Sequence, residues 1–130
     1  MHGHAIINLI TMNQLEEFIA RLRSKPEDTE FQEVINIIEK YYQYTPTGFT
    51  NGPEKIGVIN AEGENEGSCK IFSFAKINGL TVEQTLNCFG RYYRDDVLKN
   101  PDGTDHQNIR TFISHGWEHV NFEKTALEQR

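Results

Sequence analysis

TPTGFTNGPEKIGVINAEGENEG, residues 45–67, decides the fold class, because the chain before it and most of the chain after it read as helix. The stretch holds five glycines and two prolines, punctuation that favours turns over regular structure. Asn51-Gly52 is a turn signal. Phe49-Thr50 on one side and Ile56-Gly57-Val58-Ile59 on the other can pair as a short ribbon. Irregular segments this long are uncommon inside a compact domain and tend to carry function.

Upstream, residues 1–10 form a short lead-in, and Thr11 with Gln14 three residues on has the spacing of a capping box. Leu15, Phe18, Ile19 and Leu22 follow at helical spacing, and Pro26 marks the stop. A second helix is expected from about Thr29, with Phe31, Val34, Ile35, Ile38 and Tyr42 on one stripe. Thr45-Pro46 should close it, since the residue before proline avoids the helical region. Downstream, a third helix is predicted over Ser68–Asn78, capped by Asn65 or Ser68. A fourth starts at Thr81, with Gln84 completing a capping box, and carries the stripe Val82, Leu86, Phe89, Tyr93 and Val97 to the turn at Asn100-Pro101. A fifth begins near Thr104 or Asp105, buries Ile109, Phe112 and Ile113, and stops about Gly116. Trp117, Val120 and Phe122 make an apolar return, and residues 123–130 an amphipathic tail. The expected fold is mainly α: one compact five-helix domain over residues 11–130, with an irregular Gly/Pro-rich loop, holding a short ribbon, between its second and third helices.

At 130 residues the chain suits one domain with a real core. Its net charge of −6 supplies no basic footprint for nucleic acid or for an anionic membrane. The longest apolar run, AIINLI at residues 5–10, is too short to span a bilayer and lacks the flanks of a secretory signal. Two cysteines, Cys69 and Cys88, read as reduced cytosolic thiols.

Four stretches, TPTGFTNG (45–52), GENEGSCKIFSFA (63–75), TLNCFGRYYRDDVLKNP (85–101) and GTDHQNIRTFISHGW (103–117), together resemble the HopJ family of type III effector proteins from plant-pathogenic bacteria. The resemblance runs over about residues 15–127. It implies a small bacterial protein associated with translocation into host cells, and brings neither an enzymatic activity nor catalytic residues. Effectors usually carry a serine-rich leader, whereas the lead-in MHGHAIINLI has no serine. A non-secreted housekeeping member in the bacterial cytoplasm is therefore the other expectation beside delivery into a host.

Cys69 leads the candidates for chemistry. In the first turn of a helix it would face free backbone N–H groups and the positive end of the macrodipole, and Lys70 adds a neighbouring cation. Both favour the thiolate, the nucleophilic form. His106, ahead of His115 and His119, is its candidate base, oriented by Asp105 or Asn108. The plainer reading makes Cys69 an apolar plug, because free cysteines are among the most buried residues. Cys88, beside the fourth helix's stripe, reads as packing. Arg91 and Asp95 suit an exposed pair. Arg94 suits a clamp tying the loop down through carbonyls or Glu62, Glu64 or Glu66. Arg110 shares a helix face with His106, and Trp117 reads as a core lid. No metal site and no cofactor are expected: the cysteines have no partner at zinc spacing, His115 and His119 straddle the predicted helix end, and His2 and His4 sit at the terminus.

Two functional readings remain. In the first, loop 45–67 binds a host or bacterial protein through Asn51, Asn65 and Lys70, with Arg94 and Arg110 facing it. In the second, a small enzyme or ligand-binding protein gathers Cys69, His106, Arg94 and Arg110 around the same loop.

Overall fold

Residues 14–130 are described by a computed structural model. The expected lead-in, the Thr11 cap and the two terminal histidines lie outside the described residues. The first helix, α1, occupies residues 14–24 and buries Leu15, Phe18 and Leu22, one face of a 3.6-residue period. Pro26 opens a single 3-10 turn, Pro26–Asp28. Helix α2, Phe31–Tyr41, buries Val34, Ile38 and Tyr41.

The strands begin where the second helix was expected to continue. Tyr42 turns extended (φ −132, ψ 152) and starts β1, Tyr42–Tyr44. The ribbon in the loop forms as read: β2, Phe49–Asn51, pairs antiparallel with β3, Val58–Asn60, placing Phe49 opposite Asn60. Gly52 turns the chain at φ +94, a conformation that favours glycine, and a Cβ there would lie 2.5 Å from a Thr111 methyl.

Helix α3, Glu66–Ile77, runs through the middle and buries Cys69, Ile71, Phe72, Ser73, Phe74 and Ala75. A helix covered on so much of its circumference is a central one. Phe72 is the hub of the core, with ring centroids 4.9 Å from Phe112, 5.4 Å from Phe89, 6.1 Å from Phe49 and 6.2 Å from Trp117. Trp117 also donates its Nε1–H to the Leu80 carbonyl at 3.2 Å.

The predicted fourth helix is two helices. The Thr81/Gln84 capping box starts α4, Val82–Asn87, as expected. Gly90 then adopts φ +57, and a Cβ at that position would lie 2.7 Å from the Phe31 nitrogen. Past this break the chain resumes as a π-helix, Tyr92–Val97, in which Leu98 N donates to Tyr93 O. Helix α5, Gln107–His115, starts later than expected and continues as a 3-10 turn, Gly116–His119. It buries Ile109 and Phe112, but Ile113 is 43% exposed.

The tail is not a free amphipathic segment. Strand β4, Asn121–Phe122, adds to the open side of β2, giving the order β3-β2-β4. Strand β5, Leu127–Gln129, pairs antiparallel with β1. The described residues are therefore 54% helical and 12% strand, with six helices and five strands in two small sheets. This corrects the mainly α, five-helix expectation: the fold is mixed α/β. β1, β4 and β5, two or three residues long, carry too little alternation to read in advance, and each acquires its partner from chain more than sixty residues away.

Candidate functional site

Among the described residues, Asn65 and His106 are the two non-glycine positions with positive φ, each at +50. They occupy equivalent places: Asn65 caps α3 and His106 caps α5, both left-handed. Neither gives its side chain to the first turn of its own helix. Asparagine and histidine tolerate this region better than most residues, yet each such position still costs on the order of 1 kcal/mol. Both residues line one cleft of about 450 Å³. Gly67, Ser68, Gln107 and Asn108 supply the rest of its polar lining, and Phe31, Phe89, Tyr92, Val58 and Ile109 its apolar walls.

Beneath the cleft is a network of amides. The inward positions of the ribbon are Phe49, Asn51 and Asn60, all buried. Asn51 Nδ2 donates to Asn108 O at 2.8 Å and to Asn108 Oδ1 at 3.1 Å. Asn60 Nδ2 reaches the same Oδ1 at 3.2 Å. Asn60 Oδ1 accepts from Asn65 Nδ2 at 2.7 Å and from Asn108 Nδ2 at 2.9 Å. The network ties the ribbon to the N-termini of α3 and α5 and holds the left-handed Asn65 cap in place. It satisfies most of what burial would leave unpaired; Asn51 Oδ1 alone of these oxygens lacks a partner.

His106 is held from the π-helix. Its Nε2 lies 2.9 Å from Asp96 Oδ2 and 3.8 Å from Asp105 Oδ2, and its ring sits 5.3 Å from that of Tyr92. Arg110 does not enter the cleft. Its guanidinium donates to Asp105 O and Asp105 Oδ1, each at 2.6 Å, and to Asn100 O at 2.9 Å, closing the 100–105 turn. The hydrogen bond from Arg110, aided by the charge of His106, holds the Asp105 carboxyl below its ordinary value. Arg94 is a clamp, though not of the loop. It donates to Asn87 Oδ1 at 3.0 Å and to the Thr29 carbonyl, joining α4 to the connection ahead of α2. The Lys70 ammonium stands 4.7 Å over the Tyr44 ring.

Cys69 is 1% exposed, with its thiol directed 3.8 Å toward the Thr47 carbonyl. Burial raises its pKa, outweighing that contact and the neighbouring hydroxyls of Tyr44 and Ser73. Burial also pushes Cys88 up to about 12. A protonated, covered thiol is a poor nucleophile, and no hydrogen bond joins Cys69 to His106 among the described residues. Of the sequence candidates, Asn65 and His106 come together at the cleft, and Asn51 supports it from below; Lys70, Arg94, Arg110 and Cys69 are each occupied elsewhere. Sequence reasoning missed Asn60, Ser68, Gln107 and Asp96. The available signal was the pairing of ENEG and TDHQN, two polar stretches at helix starts.

Among the described residues no group of three or more His, Cys, Asp or Glu could hold a metal ion, and no helix is long and apolar enough to cross a membrane. No curated protein matches the chain. A crystal structure of an "unknown function protein VPA0580" is similar at 48% identity and a TM-score of 0.85, over 89% of this chain and 93% of that one. The family described as HopJ type III effector protein matches residues 15–127. Spanning α1 to β5, and with it every residue of the cleft, that match establishes that the chain belongs to the HopJ family.

Proposed function

We propose that this chain is a binding protein of the effector kind, delivered by type III secretion to act on a partner protein, and that the cleft between the N-termini of α3 and α5 is its recognition site. The family's description supports the route. The observation that carries the binding reading is the placement of both left-handed non-glycine residues on one cleft. Backbone strain persists where surrounding contacts over-determine it, and it gathers at sites of function. Aromatic and aliphatic walls with a few convergent polar groups are the ordinary makeup of a recognition site. The side chains suit a partner segment that offers hydrogen-bonding groups to Ser68, Gln107 and His106 while an apolar group packs on Phe31 and Tyr92.

The test is selection of a displayed peptide library against the protein, followed by amide NMR with the recovered peptides. The expected result is that shifts cluster at residues 65–68 and 106–109, and that Ser68→Trp, which fills the cleft, abolishes binding without loss of fold. Recovered peptides that bind elsewhere, or that ignore Ser68→Trp, would overturn the assignment. Delivery is tested separately by fusing the chain to a calmodulin-dependent cyclase; cyclic AMP in recipient cells should require the secretion apparatus.

A further inference from the structure

Away from that cleft, the C-terminal half of α3 borders a second depression of about 480 Å³, walled by Ser73 and Ile77 of α3, Phe122 of β4 and Leu127 of β5. Lys76 lines it and also lines a smaller depression of about 300 Å³ that reaches Leu80, Trp117 and Val120. The two depressions share Lys76, and together they are treated as one groove.

We infer that this groove docks an extended peptide of a partner protein in which an acidic residue is flanked by apolar ones. The charge pattern carries the acidic part. The chain has 19 acidic residues and a net charge of −6, yet no carboxylate lines either depression, while Lys76 and Lys124 do. Lys124 is engaged by Glu62 at 2.9 Å. For Lys76 no carboxylate among the described residues lies within ion-pair distance; its ammonium rests 5.7 Å over the Phe122 ring. The apolar part follows from Ile77, left 52% exposed beside Phe122.

The strands carry the extended part. β4 and β5 each pair on one side only, so strand edges flank the groove, and such edges accept an added strand. The groove is open to solvent, unlike the enclosure that small ligands need. In its floor, the 94%-buried Ser73 keeps a hydroxyl whose neighbour is the Cys69 thiol, a weak hydrogen-bonding group, and which has no other partner.

The experiment titrates the peptide acetyl-Leu-Thr-Asp-Thr-Leu-amide, whose Asp and two Leu share one face when extended, and its Asp→Asn counterpart, into the protein. Binding is read by the emission of Trp117, the single tryptophan, and by amide shifts. Shifts at residues 73–77 and 121–127 are expected, with the Asn peptide bound about threefold or more weakly. Lys76→Met, at an exposed position, should erase that preference while leaving the circular dichroism unchanged. Equal affinity for the two peptides, absence of binding, or shifts confined elsewhere would overturn the proposal. So would a response to decanoate with none to the peptide, which would make the groove a site for small amphiphiles.

Discussion

Cys69 shows how position along a helix and position in the fold can oppose each other. Its place in the first turn of α3 favours the thiolate, but desolvation dominates and raises its pKa. Iodoacetamide should therefore leave both Cys69 and Cys88 unlabelled in the native protein at pH 8 and label both in urea, as read by mass spectrometry. Rapid native labelling of Cys69 would restore the thiol-enzyme reading. Asp105 is the opposite case, an exposed carboxyl held down by a neighbour. Removing that neighbour with Arg110→Ala should return the Asp105 pKa toward the ordinary carboxylate value, followed by carboxyl carbon NMR. The group is depressed in the folded state, so its contribution to stability is complete above the unfolded value and disappears as pH falls through the folded one.

At the scale of elements, the break between α4 and the π-helix depends on one glycine. Gly90 is left-handed and its missing Cβ leaves room for the Phe31 backbone. Gly90→Ala should destabilise the protein by about 2 kcal/mol or more in urea unfolding, from strain and from the displaced start of α2. An alanine variant as stable as the parent would mean the contact yields freely. The amide network is the second such device. Asn108→Ala removes its three side-chain bonds to Asn51 and Asn60, while its carbonyl still accepts from Asn51, at a cost of about 1–3 kcal/mol. Hydrogen exchange should then speed up in β2 and β3 ahead of α2, because the network is what joins the ribbon to α5.

For the whole molecule, the buried thiols predict a pH dependence with a definite sign. Unfolded thiols ionise near ~8.5, whereas burial pushes Cys88 up to about 12 and raises Cys69. Above the unfolded value the unfolded chain releases protons that the native protein keeps, so stability falls as pH rises toward the folded values. Below it the contribution is complete. By pH 10 the loss from one such thiol is about 2 kcal/mol. Urea midpoints measured between pH 8 and 10 should fall more steeply for the parent than for a Cys69→Ala, Cys88→Ala double variant.

Local signals were enough for much of this protein. The helical stripes of Leu15, Phe18 and Leu22 and of Val34 and Ile38, the Thr81/Gln84 capping box, and the Phe49–Ile59 ribbon each depend on residues close together in the chain, and each was legible. So was the family, carried by long stretches spread across the domain. What tertiary structure alone decided was whatever needed distant chain. β1 and β5 are strands because residues 42–44 and 127–129 meet, and Gly90 breaks a helix because Phe31 passes beside it. The cleft exists because two helix starts some forty residues apart converge over amides from a third element. Burial and pairing across the core are properties of the folded arrangement, which no stretch of sequence carries by itself.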